Sequence, residues 1–424
     1  MDRRQFLLSS IAGSALTLTP SLLRAQSRAN IVIIGGGFGG ATCARYLREF
    51  APRVNVTLIE PNAQFISCPM SNRVIQGAIG LRDLTRGYDS FASRFRINWV
   101  QDRATAIDTG KREVVLSRGK RIPWDRLVVS PGVDFDFDAV PGLNAQAQAR
   151  MPHAWKAGPQ TIELRDRLEQ LPEGGVVAMH IPKAPYRCPP GPYERASLIA
   201  AKLKRRNPRA KLLVFDANPE IQAKKGLFER AWAQEYKGII SYTPNADIAQ
   251  VDASGELIFA AQGKVKADLW NVIPPQRAGQ IASASGLANR ADGRWCAVDF
   301  RSYESTAVPG VHVLGDSVQG APGMPKSGHM ANQQAKVCAM AIARQLAGEP
   351  MLEDIVIANT CYSFVNQRDA MHVAAVYRYD AKERTMKPVV GAGGLSEQPS
   401  TIEGVYAMGW LTNILDDTMG PATV

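Results

Sequence analysis

The sequence predicts an α/β fold made of two nested units of strands and helices, followed by a C-terminal α+β segment. The run "IVII" leads into the glycine-rich turn "GGGFGG", and a late strand pattern, "VPGVHVLGDS", is followed by a helical pattern. A separate strand–helix–strand pattern lies between these two parts. Such alternation is typical of parallel sheets covered by helices. We therefore place the first unit at 29–155 and 286–350, the second at 156–285, and the C-terminal segment at 351–424.

Residues 1–25 are predicted to be a cleaved export signal. "MDRRQFLLSSIAGSALTLTPSLLRAQ" has a basic start, an apolar stretch from Phe6 to Leu16, and a small residue, Ala25, at a plausible cleavage point. The pair Arg3-Arg4 before "QFL" is typical of twin-arginine signals, which export proteins already folded around a cofactor. A general secretory signal and a membrane anchor are the alternatives. No later segment has the roughly 18–20 continuous apolar residues that span a bilayer, so we expect a periplasmic location.

Composition and cysteine spacing exclude several classes of site. The net charge is +11 at pH 7, yet no cluster of Lys and Arg with interleaved aromatics indicates a nucleic-acid surface. None of the six cysteines forms a C-x-x-C zinc pair or a C-x-x-C-H haem attachment. The sequence thus predicts no metal site, and any haem must belong to another chain.

The opening strand, turn and helix predict a dinucleotide site. Gly35, Gly37 and Gly40 have the G-x-G-x-x-G spacing, and Glu60 ends the next strand, "VNVTLIE", 20 residues after Gly40. The glycines allow a tight turn and let the backbone approach a pyrophosphate, which the helix N-terminus attracts. An acid at the position of Glu60 binds a ribose hydroxyl in such sites. The alternative is a glycine-rich turn without a nucleotide.

Two further turns indicate which dinucleotide binds. "DRLVVSPG" is a strand that ends in Pro131-Gly132, and "VPGVHVLGDS" ends in Gly315-Asp316 before a helix. Together with the glycine-rich turn, this set resembles the FAD domain of the glutathione-reductase-like, two-dinucleotide Rossmann flavoproteins. The resemblance implies FAD, with Asp316 on the flavin ribityl chain and the next helix aimed at the isoalloxazine ring. A turn acid before a helix is the alternative for Asp316.

The second unit keeps the strand–helix–strand pattern but lacks a nucleotide motif. Its strands are "GGVVAMHIP" and "AKLLVFDANP", with the helix "PYERASLIAAKLKRR" between them. Pyridine-nucleotide reductases have a second G-x-G-x-x-G at the first turn, whereas this turn contains Pro189, Pro190 and Pro192. Proline removes backbone donors. We therefore expect an NAD-like domain that has lost NAD binding, which argues against an NAD(P)H reductase.

The segments "RCPPGPYERAS", "ANTCYS", "ISCPMSN" and "GMPKSGHMANQQAK" together resemble the flavoprotein subunit of flavocytochrome c sulfide dehydrogenase, a relative of sulfide:quinone oxidoreductase. The similarity runs from Ala29 to the last predicted helix. It implies that Cys188 and Cys361 form a redox-active disulfide beside the flavin. Sulfide, as HS⁻, attacks one sulfur to give a persulfide, and electrons pass through FAD to a c-type cytochrome subunit with one or two haems. Which cysteine receives sulfide stays open, and two unrelated cysteines are the alternative.

The same resemblance implies roles for Cys68 and Glu194, and Lys326, just before the predicted helix, is a further candidate. Cys68 matches a cysteine bonded covalently to the flavin 8α-methyl carbon; a noncovalent neighbour is the alternative. Glu194 matches a carboxylate near the disulfide that accepts a proton, although an acid in the first turn of a helix is also favoured by the helix dipole. Lys326 is a candidate for positive charge near the pyrimidine end of the flavin, where it would stabilise the anionic reduced ring.

The remaining features are predicted to be structural. Cys43, Cys296 and Cys338 lie in apolar patterns and are expected in the core, and packing is the favoured role for Trp410. The C-terminal segment is predicted to form strands and a short amphipathic tail helix in an interface domain. Two functions compete with the cytochrome-coupled enzyme: a membrane-associated sulfide:quinone oxidoreductase, and a noncatalytic flavoprotein of a sulfur-oxidation system.

Overall fold

The computed structural model describes residues 28–421 except 253 and 255. The predicted export signal therefore lies outside the described residues. Within the part of the chain that is described, no helix is both long and apolar enough to cross a bilayer.

Residues 30–150 contain ten strands and four helices. The strands are β1 (Asn30–Ile34), β2 (Asn55–Ile59), β3 (Gln64–Ile66), β4 (Thr85–Gly87), β5 (Asn98–Val100), β6 (Ala104–Asp108), β7 (Glu113–Leu116), β8 (Arg121–Pro123), β9 (Arg126–Val129) and β10 (Val133–Phe135). The helices are α1 (Phe38–Phe50), α2 (Ser71–Gln76), α3 (Ser90–Phe95) and α4 (Ala145–Arg150).

Residues 159–272 contain seven strands and three helices. The strands are β11 (Val176–Ile181), β12 (Lys211–Asp216), β13 (Ile240–Thr243), β14 (Ile248–Val251), β15 (Leu257–Phe259), β16 (Gly263–Val265) and β17 (Leu269–Val272). The helices are α5 (Pro159–Glu169), α6 (Gly191–Arg206) and α7 (Lys225–Glu235).

The rest of the described chain contains seven strands and three helices. The strands are β18 (Gln276–Ala278), β19 (Val298–Asp299), β20 (Glu304–Ser305), β21 (Val311–Val313), β22 (Val356–Phe364), β23 (Ala370–Asp380) and β24 (Thr385–Leu395). The helices are α8 (Gln280–Ala284), α9 (Gly328–Ala347) and α10 (Thr401–Met419).

A seven-stranded sheet with the order β19-β20-β21-β9-β1-β2-β5 forms the first unit. Its central strands β21, β9, β1, β2 and β5 are parallel, with Ile31 opposite Val56 on one side and Arg126 on the other. Helices α1 and α9 contact each other beside this sheet. Because β1 and β9 are covered on both faces, their apolar runs are buried almost completely. The carboxyl ends of β1, β9 and β21 therefore lead to one edge of the sheet.

A four-stranded parallel sheet with the order β13-β12-β11-β17 forms the second unit, with α6 connecting β11 to β12. Asp216 ends β12, where a dinucleotide-binding unit has its ribose-binding acid. The Asp216 side chain is fully buried and accepts hydrogen bonds from the hydroxyls of Tyr193, at 2.7 Å, and Tyr242, at 2.9 Å. Two tyrosine hydroxyls thus already bind the carboxylate that would bind a ribose in a dinucleotide-binding unit.

The chain near the predicted boundaries at 155/156 and 285/286 packs against both units. Leu143, Ala147 and Met151 belong to a core cluster with Phe215 and Phe259 of the second unit. On the return path, β18 already pairs with β10 of the first unit. The connecting segments thus contact both units, and the predicted boundaries stay predictions.

Three long antiparallel strands, β22-β23-β24, and helix α10 form the C-terminal segment. Helix α10 begins at Thr401, earlier than the predicted tail helix, because the Ser400 hydroxyl accepts a hydrogen bond from the Glu403 backbone and caps it. Asp417 fastens its far end to the first unit: its carboxylate accepts from the Tyr46 hydroxyl and the Asn332 amide, both at 2.7 Å. The tail helix is thereby fixed across α1 and α9.

The three cysteines predicted to be structural are buried in the core of the first unit, as expected. Cys43 lies on α1, Cys338 on α9, and all three are completely buried in one hydrophobic cluster. Cys296 makes an isolated bridge with Val318 and is not part of a strand, contrary to the pattern around it.

Candidate active site

The structure brings Cys68, Cys188 and Cys361 together around one cavity. Glu194 and Trp410 line the same cavity, as do Ser327 and Gly328 at the N-terminus of α9. The three cysteines come from the loop after β3, the turn before α6, and strand β22. The cavity therefore lies where both units and the C-terminal segment meet.

The glycine-rich turn at the end of β1 is packed so closely against backbone carbonyls that two of its positions require glycine. Gly35 has φ +95°, and a side chain there would place its Cβ 2.2 Å from the Ser130 carbonyl oxygen. A Cβ on Gly40 would lie 1.9 Å from the Gly35 oxygen. Gly37 is the N-cap of α1. Glu60 accepts a hydrogen bond from the Gly36 backbone at 2.9 Å, so its carboxylate borders the turn, and its role as a ribose-binding acid stays a prediction.

The turns after β9 and β21 lie side by side at the same sheet edge. Gly132 and Gly315 have positive φ, and the Ser317 hydroxyl donates to the Gly132 carbonyl. Pro131 precedes Gly132 in the first of these turns. The Oδ1 atom of Asp316 is buried without a hydrogen-bond partner among the described residues. A buried acceptor of this kind fits the hydroxyls of a ribityl chain, so these residues are suited to hold FAD.

Cys188 is held in a left-handed backbone conformation, with φ +59°. Its backbone N–H donates to the Lys326 carbonyl at 2.8 Å, and its own carbonyl accepts from Gly191 at 2.9 Å. A Cβ on Gly191 would lie 2.9 Å from the Cys188 sulfur and 2.9 Å from the Trp155 ring. Gly191 thus provides the room that the cysteine side chain occupies, which explains the single glycine among the prolines of this turn.

All six cysteines lie within the described residues, and all six are unbonded thiols in this structure. Burial raises the pKa of Cys188, and the neighbouring Cys361 and Glu194 raise it further. Burial also raises the pKa of Cys361, although the positive charge of Lys224 opposes that effect. The two sulfurs therefore influence each other electrostatically, and the disulfide implied by the family resemblance stays a prediction.

Glu194 lies in the first turn of α6, is buried, and still faces the cavity. Its carboxylate accepts hydrogen bonds from the Phe364 backbone at 2.9 Å and from the Asn72 amide at 2.8 Å. Burial raises the pKa of Glu194, and these two hydrogen bonds oppose the rise. A buried carboxyl group with a raised pKa beside two thiols is suited to receive and release a proton.

Cys68 is half-buried, and its sulfur accepts a hydrogen bond from the Ala157 backbone at 3.4 Å. Residue 157 precedes α5, so the second unit helps to fix this thiol at the cavity wall. The arrangement leaves the sulfur accessible to a flavin in the cavity. The thioether bond itself stays a prediction.

The Lys326 ammonium is buried and does not line the cavity that the three cysteines share. It donates to the carbonyls of Asp316, at 3.0 Å, and Val318, and lies 3.5 Å from the centre of the Trp295 ring. Burial lowers the pKa of Lys326 to about 8. The Lys326 ammonium therefore contacts the main chain of the turn that carries Asp316. Its predicted stabilisation of the anionic reduced flavin, at the pyrimidine end of the ring, stays a prediction.

Trp410 lines the cavity from α10, although packing was its favoured role. Its ring lies 5.9 Å from the His329 ring and 6.3 Å from the Tyr362 ring. The Asp417 anchor at the other end of α10 holds this helix in place. Trp410 therefore serves as part of the cavity wall as well as a packing residue.

Several polar residues at the site have no counterpart in the sequence analysis. The Arg195 guanidinium is completely buried and donates to Asn72 and to the carbonyls of His153 and Ala154. Burial lowers the pKa of Arg195 to about 9. Arg187, which lines the cavity, donates to the Trp155 carbonyl. Arg187 directly precedes Cys188 and Arg195 directly follows Glu194 in the sequence. This adjacency is the sequence signal that marks both arginines as candidate site residues.

Lys224 was also missed, and nothing in its sequence context marks it. "QAKKGLF" is typical of an exposed turn before a helix, yet the Lys224 side chain is buried and reaches strand β22. Among the described residues, His, Cys, Asp and Glu side chains do not form any group of three suited to bind a metal ion.

Three family models match the chain in succession. A model described as pyridine nucleotide-disulphide oxidoreductase matches residues 29–169. The model for the sulfide dehydrogenase (flavocytochrome c) flavoprotein chain, central, matches 161–274, and the one for flavocytochrome c sulphide dehydrogenase, flavin-binding, matches 353–419. The flavin-binding model indicates FAD as the cofactor.

Curated relatives and solved structures agree with these matches. A sulfide dehydrogenase (flavocytochrome c) flavoprotein chain of Chlorobaculum thiosulfatiphilum is 54% identical over 44 residues, which is 10% of this chain and 92% of that sequence. A sulfide-quinone reductase of Aquifex aeolicus (strain VF5) is 23% identical over 346 residues, 76% of this chain and 77% of that protein.

The structure of the sulfide:quinone oxidoreductase from Aquifex aeolicus has a TM-score of 0.76 at 21% identity, covering 93% of this chain and 92% of that one. A ferredoxin reductase from Rhodopseudomonas palustris has a TM-score of 0.61 at 17% identity, covering 84% and 89%. These likenesses confirm the predicted α/β two-domain flavoprotein fold with a C-terminal domain.

Proposed function

The chain belongs to the family of sulfide-oxidising flavoproteins that comprises sulfide:quinone oxidoreductases and the flavoprotein subunits of flavocytochrome c sulfide dehydrogenase, and we propose that it oxidises sulfide with FAD and passes the electrons to a separate c-type cytochrome subunit. The observation that carries the proposal is the meeting of Cys188 and Cys361 in one cavity with Cys68 and Glu194. Cys68, Cys188 and Cys361 are far apart in the chain, and the fold brings them to the same cavity.

In the proposed reaction the oxidised enzyme has a disulfide between Cys188 and Cys361. HS⁻ attacks one sulfur, the S–S bond breaks, and the products are a persulfide on that cysteine and a thiolate on the other. Re-forming the disulfide with loss of the outer sulfur as S⁰ releases one proton and two electrons. The balance is HS⁻ → S⁰ + H⁺ + 2e⁻.

FAD supplies the electron acceptor of this reaction when bound. Gly35, Gly37 and Gly40 would receive its pyrophosphate at the start of α1, Glu60 a ribose, and Asp316 the ribityl chain. The adjoining turns are formed by Pro131, Gly132 and Gly315. The Lys326 ammonium donates a hydrogen bond to the carbonyl of Asp316. Cys68 would form the covalent bond to the ring.

Glu194 is proposed to take the proton released from the sulfur. Its carboxylate is held by the Phe364 backbone and Asn72, and burial raises its pKa, so that it binds a proton more readily than an exposed glutamate does. The Asn72 amide oxygen in turn accepts from Arg195, which keeps the amide oriented toward Glu194. The site thus supplies a proton acceptor beside the reacting sulfurs.

A c-type cytochrome is proposed as the acceptor because two family models from flavocytochrome c sulfide dehydrogenase match the central and C-terminal parts of the chain. The mature protein is proposed to work in the periplasm, on the basis of the Arg3-Arg4 signal pattern. Quinone is the second candidate acceptor, because relatives aligned over most of this chain are sulfide:quinone oxidoreductases.

Anaerobic titration with sulfide tests the reaction. Sulfide should bleach the flavin absorbance of the purified protein, and added cytochrome c should restore it with two equivalents reduced per sulfide. A flavin that stays oxidised in protein with an intact Cys188–Cys361 disulfide would contradict the proposal and favour a noncatalytic role. Turnover with decylubiquinone but none with cytochrome c would identify quinone as the acceptor instead.

Acid precipitation tests the bond to Cys68. The yellow colour should remain with the denatured protein, and the intact mass should exceed the polypeptide mass by that of FAD. Cys68→Ser should release the flavin into the supernatant, whereas Cys296→Ser, a change at a buried thiol away from the cavity, should not. Free flavin from the unmodified protein would exclude the covalent bond.

A further inference from the structure

A buried lysine, Lys224, contacts the main chain of Cys361, one of the two cysteines proposed to react. Lys224 is 6% exposed, and its backbone has φ +56° at the start of α7. Its ammonium donates to the Cys361 carbonyl at 2.7 Å and to the Ser363 hydroxyl at 3.0 Å. The third donor reaches the Met371 carbonyl on β23, also at 3.0 Å. Three neutral oxygens thus fix the ammonium against the strand that carries Cys361.

No carboxylate among the described residues forms an ion pair with this ammonium. The comparison with Lys202 is informative: that lysine is equally buried, but it pairs with Glu169. An uncompensated buried charge is costly. A cation kept in this state is therefore suited to receive a negative charge that is present during only part of the reaction.

The charged and titratable groups around Lys224 come from four elements. Cys361 lies on β22, Glu194 on α6, Cys188 in the turn before α6, and Glu403 on α10. Glu194 is held by the Phe364 backbone and Asn72, and Glu403 lies 3.0 Å from the His372 ring nitrogen. The two carboxylates thus have other partners, and the thiols are the groups that gain charge during turnover.

We propose that Lys224 is the counter-ion of the sulfur anion that forms at Cys361 when the disulfide opens. This proposal rests on the proposed sulfide oxidation and deepens it, since it assigns a positioning residue to the Cys361 side of the pair. When HS⁻ opens the disulfide, one cysteine becomes a neutral persulfide and the other is released as a thiolate. Cys361 is negatively charged either as the released thiolate or, if it is the cysteine attacked, after its persulfide transfers a proton to Glu194. Lys224 stabilises that charge on Cys361 without forming a bond to the substrate.

The structure also explains why the Lys224 ammonium stabilises a negative charge on Cys361 more than one on Cys188. The Lys224 ammonium binds the main chain of Cys361 itself, whereas the Cys188 backbone binds Lys326 and Gly191. Burial lowers the pKa of Lys224 to about 8, and the nearby Cys361 counteracts that effect. Thiolate and ammonium therefore stabilise each other's charged forms.

The experiment measures the acidity of the Cys361 thiol without sulfide. In FAD-loaded Cys188→Ser protein, the rate of iodoacetamide alkylation at Cys361 is followed by peptide mass spectrometry across pH. Lys224→Gln should raise the midpoint of the rate profile by at least about one pH unit, which is about tenfold slower alkylation at a fixed pH below the midpoint. Lys224→Arg should leave the midpoint at or below that of the parent.

Lys225→Gln is the matched control, because it removes the same charge one residue later from an exposed side chain paired with Glu220. It should leave the midpoint unchanged. A Lys224→Gln midpoint within about 0.3 pH unit of the parent, or an equal shift in Lys225→Gln, would overturn the proposal. If Lys224→Gln fails to bind FAD, Lys224→Arg decides alone: a midpoint raised by about one pH unit overturns it. Sulfide is absent throughout, so this result is independent of whether sulfide bleaches the flavin.

Discussion

At the residue scale, Cys188 occupies a backbone conformation that cysteine does not favour. A left-handed φ costs a non-glycine residue roughly 1–2 kcal/mol, and two backbone hydrogen bonds, to Lys326 and from Gly191, hold the turn in it. Such conformations persist where the surrounding structure determines them, and they are common at active sites. The turn therefore positions the Cys188 sulfur at the cavity, and the backbone strain of this position lowers the local stability.

Replacing Cys188 by glycine should separate these two effects. Glycine adopts φ +59° without strain, so we expect Cys188→Gly to exceed Cys188→Ala in free energy of unfolding by roughly 1–2 kcal/mol. Both variants lose the proposed disulfide and its stabilisation, and both should lose sulfide-dependent bleaching. Denaturant unfolding and anaerobic titration measure the two quantities. A Cys188→Gly variant no more stable than Cys188→Ala, or bleaching by sulfide in either variant, would contradict this interpretation of the turn.

Glu194 gives a prediction about pH. A proton acceptor must be deprotonated, and burial raises the pKa of Glu194. The rate should therefore rise with pH through the raised pKa of this carboxyl group. Glu194→Gln should lower kcat by roughly 10²–10⁴-fold and remove that rise from the kcat profile. A parental rise retained in Glu194→Gln would assign the proton to another group.

At the element scale, the sequence predicted the parallel core well and the end of the chain less well. Apolar runs such as "IVII" have a single stable position, in the buried interior of the sheet. The tail helix begins earlier than predicted because its start depends on one capping residue, Ser400. Its position depends on Asp417, whose partners Tyr46 and Asn332 lie in distant parts of the chain. Local periodicity contains no information about such partners.

Asp417 therefore provides a test of how α10 is attached. Burial opposes ionisation, but bonds from Asn332, Lys336 and Tyr46 hold the pKa of Asp417 below its ordinary value. A carboxyl group with a lowered pKa in the folded state stabilises the protein above its unfolded-state pKa, and this contribution is lost as pH falls through the folded-state value.

Asp417→Asn should reduce the free energy of unfolding at pH 7 by about 1–3 kcal/mol and weaken its dependence on pH in the acid range. Denaturant unfolding at a series of pH values measures both effects. The adjacent Asp416→Asn is the control, since Asp416 contributes its backbone carbonyl to Arg45. Equal losses in the two variants would show that the Asp417 side chain is not the anchor.

At the scale of the whole molecule, the cavity depends on long-range contacts that the sequence does not encode locally. Cys188 and Cys361 are separated by an entire β-sheet and two crossings between units. Only the family resemblance predicted their proximity, together with that of Cys68. Lys224 could not be predicted, because its flanking residues are typical of an exposed turn and its role depends on the side chain reaching β22.

The first and second units differ in the surroundings of the acidic residue at the end of their second parallel strand. Glu60 in the first unit borders the glycine-rich turn, whereas Asp216 in the second is enclosed by Tyr193, Tyr242 and Asn218. Tyr193 lies in the first turn of α6, five residues after Cys188. The segment that would bind a nicotinamide nucleotide thus holds the reactive thiol and covers the ribose acid.

This arrangement predicts that NADH does not reduce the flavin. Binding its ribose at Asp216 would require breaking the hydrogen bonds to two tyrosine hydroxyls and exposing a fully buried carboxylate, and the prolines of the preceding turn leave few backbone donors for a pyrophosphate. In an anaerobic cuvette, NADH in excess should leave the flavin spectrum unchanged over a period in which sulfide bleaches it completely. Tyr242→Phe, which removes one of the two hydroxyls, should leave NADH equally ineffective, because Tyr193 and the proline-rich turn remain. Bleaching by NADH at a rate comparable to that by sulfide would show that the second unit has kept its nucleotide function.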